Sequence, residues 1–254
     1  MELQRIPLHP GANRQADTAQ HHEVRHPDSE VIRDDAGNQH VWFIRSGILR
    51  LQRHGLHGRR QILSLFFPGE IIGFEGEFRE GTSVETATLS SLCRIDRRGF
   101  ETLLTRSDDL RRELLRQKQE QLDRLHWLTW SLGALGPEQR LCALLALSST
   151  VMPYQVLPDG SGVLSMLLPR KDIADLLATT VETVCRCLHK LSQTDVIEIR
   201  DPAHFRIVDL NRLIALGQIE GHFDRMTRRP APRRASRPGA AIQGGEHLDC
   251  LCGA

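Results

Sequence analysis

Short apolar runs separated by turn residues dominate the first part of the chain after residue 30. Five of these runs read VWFIR, ILRLQR, RQILSLF, SVETATL and SLCRI. Turn-forming sequences such as RSG, HGLHG and FPGE lie between them. Closely spaced strand-like runs of this kind favour antiparallel pairing. The pattern predicts an antiparallel β-roll or barrel over residues 31–106, preceded by a flexible polar arm over residues 1–30.

The spacing of apolar positions changes after the predicted roll. The stretch RRGFETLLTRSDDLRRELLRQKQEQLDRLHWLTWSLGALGP has no proline until Pro137, and its leucines recur mainly every three or four residues. This spacing predicts a long amphipathic helix, which we assign to residues 107–136. We expect the helix to pair with a second copy of the chain. Packing of the same face against the chain's own roll is the alternative. The leucines that would form this face are Leu110, Leu114, Leu122, Leu125, Leu128 and Leu132.

Compact helical patterns follow Pro137. PEQRLCALLALSSTV predicts one helix, and RKDIADLLA and TTVETVCRCLHKL predict two more, separated by a break around Ala178 and Thr179. Thr180 is a natural N-cap for the last of these helices. The following VIEIRDPAHFRIVDL predicts two strands joined at DPAH. Short helix, tight turn, second helix and hairpin predict a winged helix-turn-helix over residues 137–216, with a flexible tail over 217–254. The apolar positions of the two short helices are Ile173, Ala174, Leu177, Val181, Val184, Leu188 and Leu191.

The second short helix carries residues whose chemistry suits DNA. With Val181, Val184 and Leu188 directed inward, helical geometry places Glu182, Cys185 and Arg186 together on the outer face. Arginine can donate two hydrogen bonds to guanine, and a carboxylate can accept one from cytosine. We expect these three residues to read bases. A surface ion pair between Glu182 and Arg186 is the alternative. Near the helix start, three hydroxyl side chains could bind phosphates, namely Thr179, Thr180 and Thr183.

Composition limits the broad class of the protein. The 254 residues are 40% hydrophobic and carry 33 basic against 32 acidic side chains, so net charge neither indicates nor excludes a nucleic-acid partner. The chain has no 18-residue apolar run and no signal-like start, which predicts a cytoplasmic protein that is not bound to a membrane. We find no converging nucleophile, base and orienting group, so we expect no enzyme activity, and we expect neither a metal ion nor a cofactor.

These features together resemble the Crp/Fnr transcription regulators from about Val31 to Leu216. The similar pieces, in order, are VWFIRSGILRL, GRRQILSLFFPGEIIGF, the long helix, PEQRLCALL, and LPRKDIADLLATTVETVCRCLHKL with its wing. The resemblance implies an α+β fold: a cyclic-nucleotide-binding-like roll, a dimerisation helix and a winged helix-turn-helix. It also implies a homodimeric activator that binds a palindromic double-stranded DNA site and contacts RNA polymerase, with a link to oxygen or redox control.

VETVCR resembles the E-x-x-S-R recognition motif of the Fnr and FixK branches. The resemblance therefore assigns base reading to Glu182 and Arg186. Cys185 stands where that motif has serine, so the preferred half-site is left open.

The roll lacks two sensor signatures known in this family. The Gly69–Glu70 turn is present, yet Thr82 and Ser83 stand where cyclic-nucleotide-binding members have Arg-Ser. Without the guanidinium, a cyclic phosphate loses its bidentate partner. No cysteine precedes residue 93, and Cys93 alone cannot hold an iron–sulfur cluster, so we expect Cys93 to be a buried strand residue. The chain is most similar to the FixK-type branch, which lacks both signatures. A haem-dependent sensor stays open as an alternative, with His40, His54 and His57 as available ligands.

The remaining cysteines are expected to be thiols rather than a disulfide framework. We expect Cys142 and Cys187 to be packed residues. Cys185 is a candidate redox thiol, because a positive helix terminus and neighbouring Arg186 favour a negative charge there. Its alternative role is that of a small contact residue in place of serine. A thiol–metal or redox element in the tail, formed by His247, Cys250 and Cys252, is a weaker possibility.

Overall fold

The computed structural model describes residues 20–33, 39–56, 58–74 and 81–227. Within these residues, eight antiparallel strands form an N-terminal roll of two sheets, with orders β1-β8-β3-β6 and β2-β7-β4-β5. The strands are β1 (Gln20–Arg25), β2 (Glu30–Arg33), β3 (His40–Ser46), β4 (Leu49–His54), β5 (Arg60–Phe66), β6 (Ile71–Ile72), β7 (Thr82–Thr86) and β8 (Ser90–Asp96). The five predicted strand runs correspond to β3, β4, β5, β7 and β8, so the predicted antiparallel roll is confirmed.

Strand β3 explains how the roll buries both faces of one sheet. Trp42 and Ile44 face the second sheet, in a cluster that includes Leu49 from β4. Val41 and Phe43, on the opposite face, pack in a second buried cluster together with Cys93. A strand that is covered on both sides needs a continuous apolar run, which is why VWFI does not alternate with polar residues. Cys93 is buried, as expected.

The turn between β3 and β4 requires glycine. Gly47 has φ +89°, in the left-handed region that side chains rarely adopt. A Cβ at this position would lie 2.2 Å from Ser90 Oγ and 2.6 Å from the carbonyl oxygen of Leu89. The RSG turn is therefore fixed by both conformation and space.

Two helices follow the roll where the sequence predicts one. They are α1 (Arg97–Arg106) and α2 (Asp108–Ala134), and they are separated at Ser107. The Ser107 side chain accepts a hydrogen bond from the backbone N–H of Leu110 at 3.2 Å, and its backbone is extended. Serine satisfies the first N–H groups of α2 in this way and ends the continuous helix. The long helix assigned to residues 107–136 thus corresponds to α2, and α1 is a separate helix within the stretch that was assigned to the roll.

The C-terminal domain contains a helix-turn-helix and a four-stranded sheet of order β11-β12-β10-β9. Strands β11 and β12 form the predicted hairpin after the second short helix, whereas β9 and β10 were not predicted. The elements are α3 (Pro137–Val151), β9 (Tyr154–Val156), β10 (Gly162–Ser165), α4 (Arg170–Leu176), α5 (Val181–Gln193), β11 (Ile197–Ile199), β12 (His204–Ile207), α6 (Leu210–Gly217) and α7 (Glu220–Thr227).

The folded part of the chain extends into both segments that were predicted to be flexible. Strand β1 lies within the predicted arm and pairs along its length with β8, so folding does not begin near Val31. Helix α7 lies within the predicted tail and packs against α3. Its polar sequence concealed this contact from the pattern analysis. The candidate tail element of His247, Cys250 and Cys252 lies outside the described residues. In the part of the chain that the structure describes, no helix has the length and hydropathy needed to cross a membrane.

Candidate nucleic-acid interface

The turn between α4 and α5 positions the second helix. Ala178 has φ +51°, which reverses the chain within a few residues after α4. The Thr180 side chain then accepts a hydrogen bond from the backbone N–H of Thr183 at 3.2 Å. Thr180 is therefore the N-cap of α5, as predicted from the sequence.

Helix α5 has one buried face. Val184, Leu188 and Leu191 are all buried in the core of the C-terminal domain. Val181 was expected to join them, but it is 42% exposed. As the first residue of α5, it lies beyond the edge of that core. The expectation for Val181 is therefore wrong, while the orientation of the rest of the helix is as predicted.

Glu182 and Arg186 are exposed on the opposite face of α5. Among the described residues, the two side chains form no ion pair with each other, so the alternative role of a surface pair finds no support in the contacts. The Arg186 Nη2 lies 3.5 Å from Thr183 Oγ1. Both charged side chains can therefore reach an external partner without breaking a salt bridge.

The three candidate phosphate ligands lie at the start of α5. Thr180 and Thr183 are linked by a side-chain hydrogen bond of 3.0 Å, in addition to the capping bond. The backbone N–H of Thr179 donates to the carbonyl of Ala174 at 2.9 Å, which fixes the turn. These contacts give the hydroxyl groups defined positions beside the positive end of the helix, where anions are favoured.

The cysteines of α5 have different environments. Cys185 is half-buried on α5 between the exposed residues Glu182 and Arg186, whereas Cys187 is buried among the core residues of the domain. Burial raises the pKa of the Cys187 thiol, and it raises the pKa of Cys142 to about 12. Cys142 and Cys187 are therefore packed neutral thiols, as expected.

Arg170 is a charged residue of the helix-turn-helix that the sequence reasoning did not consider. Its guanidinium lies 4.8 Å from the centre of the Phe205 ring, at the N-terminus of α4. Burial lowers the pKa of Arg170, and an electrostatic contribution from Cys185 acts in the opposite direction. Sequence spacing gave no signal, because Arg170 and Cys185 belong to different helices.

Six charged residues connect α4 to the roll, and we call them the interdomain ion network. Arg50 on β4 donates to Asp172 on α4 at 2.7 Å, and both residues are only 2% exposed. Arg60 on β5 also contacts Asp172 and donates to Asp175 at 2.6 Å. The network consists of Asp28, Arg50, Arg60, Glu85, Asp172 and Asp175. These contacts fix the helix-turn-helix relative to the roll.

The electrostatics of the network reflect its burial. Burial alone would lower the pKa of Arg50, but hydrogen bonds from Arg50 to carboxylates and the nearby charge of Asp172 raise it. The hydrogen bond from Arg50 lowers the pKa of Asp28. The buried guanidinium of Arg50 is therefore paired with carboxylates on both the roll and α4.

The six leucines predicted to form one face of α2 have different surroundings: four are covered by the chain itself and two are exposed. Leu110 and Leu114 pack against the roll, and Leu128 is buried in the core that joins the roll to the C-terminal domain. Leu132 is partly buried against that same core. Leu122 and Leu125 are each 43% exposed. The expectation that all six leucines face a second copy is therefore wrong.

Glu70 and Ser83, which the sequence comparison with cyclic-nucleotide-binding members singled out, make contacts within the chain. Glu70 accepts a hydrogen bond from Arg124 at 2.6 Å and another from Gln121 at 3.1 Å. Burial raises the pKa of Glu70, while Arg124 acts in the opposite direction. Ser83 Oγ accepts from the Gln52 side chain at 3.4 Å. Of the candidate haem ligands, His40 lies on β3, His54 ends β4, and His57 falls outside the described residues.

Both domains are similar to domains of known families. The model of the Crp-like helix-turn-helix domain matches residues 139–216, and the model of the cyclic nucleotide-binding domain matches residues 24–107. A probable transcriptional activator of Rhizobium leguminosarum bv. viciae is 30% identical over 185 residues, which cover 72% of this chain and 76% of that protein. The nitrogen fixation regulation protein FixK of Rhizobium meliloti is 28% identical over 190 residues, covering 75% and 82%.

A solved structure has the same fold. The structure of FixK2 from Bradyrhizobium japonicum superposes with a TM-score of 0.69 at 21% identity, and covers 78% of this chain and 97% of that one. The arrangement of roll, connecting helices and helix-turn-helix is thus shared over nearly the whole of that protein.

Proposed function

Because this chain belongs to the Crp/Fnr family of transcription regulators, which are DNA-binding proteins and not enzymes, we propose that it activates transcription as a dimer on a palindromic Fnr- or FixK-like site. The observation that carries the proposal is the outer face of α5. Glu182 and Arg186 project from it, while Val184 and Leu188 anchor the opposite face in the core. A rigid helix that presents an acceptor and a bidentate donor suits base reading in the major groove.

The roles on this surface follow from chemistry. Arg186 donates to guanine, and Glu182 accepts from cytosine. Thr179, Thr180 and Thr183 bind backbone phosphates at the helix terminus. The phosphate contacts position the helix on the duplex, and the two charged side chains select the sequence.

The dimer is proposed from the exposed apolar residues of α2. Leu115 is 70% exposed, and it is separated from Leu122 and Leu125 by seven and ten residues. This spacing is typical of the a and d positions of a two-stranded coiled coil. Pairing along this face would set two copies of α5 on half-sites about one turn of DNA apart. RNA polymerase is the expected partner of the DNA-bound dimer.

A redox input through Cys185 is a second proposal, supported by its half-buried position on α5 next to Arg186. Two equivalents of hydrogen peroxide convert a thiolate to a sulfinate and release two waters. The anionic product would oppose the DNA phosphates both sterically and electrostatically. Redox control would then act directly on the reading surface.

Fluorescence anisotropy with labelled duplexes tests base reading. We expect the wild-type protein to prefer an Fnr- or FixK-type palindrome over a scrambled duplex by about 10³-fold or more at physiological salt. Glu182→Ala should reduce this preference, whereas Gln193→Ala, a change at an exposed position at the end of α5, should leave it intact. Equal affinity of the wild type for both duplexes would exclude the proposed function.

A further inference from the structure

A short joint connects α2 to the C-terminal domain. Leu135 and Gly136 separate the end of α2 from the start of α3, and both are extended, with ψ of 147° and 163°. The backbone dihedral angles of these residues set the direction of α3 relative to α2. The C-terminal domain therefore follows the direction of α2 only if other contacts hold the joint in one conformation.

The Arg140 side chain on α3 holds this joint. Its Nη2 donates to the carbonyl oxygen of Leu132 at 2.8 Å, and its Nε donates to the carbonyl oxygen of Leu135 at 2.8 Å. The last carbonyl groups of a helix lack partners within the helix, and a guanidinium there satisfies them and meets the negative end of the helix dipole. Arg140 therefore ties α3 to the C-terminal end of α2.

The remaining nitrogen of the same guanidinium contacts the helix-turn-helix. Arg140 Nη1 donates to the carbonyl oxygen of Leu177 at 3.0 Å. Leu177 is the C-cap of α4 and directly precedes Ala178, whose φ of +51° turns the chain toward α5. One planar guanidinium thus joins the end of α2 to the turn that directs α5, and we call its three contacts the Arg140 clamp.

We propose that Arg140 is a positioning residue that sets the spacing between the two DNA half-sites. This inference rests on the proposed function, because it requires two copies of α5 on one palindrome. The 15 residues of α3 form a lever arm of about 22 Å, so a rotation of about 9° at the joint moves its far end by about 3.4 Å, the rise of one base pair. Loss of the Arg140 clamp would let one dimer accept several spacings.

The interdomain ion network and the Arg140 clamp hold different parts of α4. The network holds the side chains of Asp172 and Asp175 against the roll, whereas Arg140 ties the backbone at the end of α4 to α2. A domain that is held at one place can pivot about it, and a second contact removes that freedom. Lysine cannot reproduce the clamp, because its donors share a single nitrogen and the Arg140 contacts use three.

Competition binding with duplexes that differ in spacing tests the inference. The duplexes carry the two half-sites of one Fnr- or FixK-type palindrome, with the centre unchanged, shortened or lengthened by one base pair. The wild type should prefer one spacing by about 10-fold or more, a preference that a single hydrogen bond to a charged group can sustain. Arg140→Met should bind all three duplexes with nearly equal affinity. It should keep the wild-type penalty for replacing the guanine in each half-site, because α5 itself is unchanged.

Two further variants separate positioning from folding. Arg212→Met is the matched control, because Arg212 donates to the carbonyl oxygen of Thr194 at 3.2 Å within the C-terminal domain, and this variant should keep the wild-type spacing preference. Arg140→Lys keeps the positive charge at the helix ends, so it should fold even if Arg140→Met does not, and it should also lose the preference. A loss of folded protein lowers the apparent affinity for every duplex alike and leaves their ratios unchanged.

The outcomes distinguish this inference from the proposed function. A folded Arg140 variant that prefers the same spacing as strongly as the wild type would overturn the positioning role and leave palindrome binding intact. Equal loss of the preference in Arg212→Met would overturn it as well, since that residue does not contact the joint. A wild type that binds a scrambled duplex as tightly as the palindrome would overturn both.

Discussion

Replacement of Arg50 by methionine should strongly destabilise the protein. The interdomain ion network contains two guanidinium groups and four carboxylates. Because cations are the minority, the loss of one guanidinium should destabilise the protein more than the loss of one carboxylate. In Arg50→Met, the buried Asp172 keeps only Arg60 as a partner. Removing one partner of a buried ion pair costs about 3–5 kcal/mol, and we expect the free energy of unfolding to fall by this amount.

The opposite change in the same pair should cost less. In Asp172→Asn, Arg50 keeps Glu85 and Asp28, and Arg60 keeps Asp175. The loss is then that of hydrogen bonds to a charged group, about 1.5–3 kcal/mol. Arg50→Met should therefore cost more stability than Asp172→Asn, because the network contains fewer cations than carboxylates.

Equilibrium urea unfolding, followed by circular dichroism at one fixed protein concentration, measures both effects. Arg112→Met is the matched control, because Arg112 is exposed and pairs with Asp109 at 3.8 Å, and it should change stability by less than about 1 kcal/mol. An Arg50→Met protein as stable as this control would refute the reasoning. So would an Asp172→Asn protein that is less stable than Arg50→Met.

Three further predictions concern other parts of the molecule. Changing Leu122 and Leu125 together to Glu should yield monomers in sedimentation that lose specific DNA binding; a variant that is still dimeric would disprove the helix pairing. Peroxide should abolish specific DNA binding of the wild type but not of Cys185→Ser, and equal sensitivity would remove the redox role. Burial lowers the pKa of Lys118 from 10.5 to about 8, so between these two pH values the unfolded state binds more protons than the folded state. The free energy of unfolding of the wild type, relative to that of Lys118→Met, should therefore rise with pH in this range. A difference between the two proteins that does not change with pH in urea unfolding would contradict this.

The elements with strong periodicity could be predicted from the sequence. Five of the eight roll strands, the helix-turn-helix and the wing hairpin each carry a local signal, whereas β1 was assigned to the flexible arm. The cap at Thr180 is equally local, because its hydrogen bond joins residues three apart. The missed strands β9 and β10 have only three and four residues, which leaves little pattern to detect, and β10 also pairs with the distant β12.

The contacts between domains could not be predicted in this way. In β4, Arg50 and Gln52 alternate with apolar residues, which is the pattern of a strand whose polar side faces solvent. Helix α4, which lies 122 residues later in the chain, covers that side and buries Arg50. The leucines of α2 illustrate the same limit, because periodicity identifies an apolar face but not the surface that covers it. Leu110 and Leu114 meet the roll, while Leu122 and Leu125 stay exposed.

Selection of binding sites from a randomised duplex pool tests most directly whether the outer face of α5 reads DNA. The wild type should enrich a two-fold symmetric site with a defined guanine in each half. Arg186→Ala should lose the preference at that guanine, at a cost of about 1–3 kcal/mol, while its weak salt-dependent binding to random DNA stays the same. If both proteins enrich the same site with equal preference at every position, Arg186 does not read bases and the central claim fails.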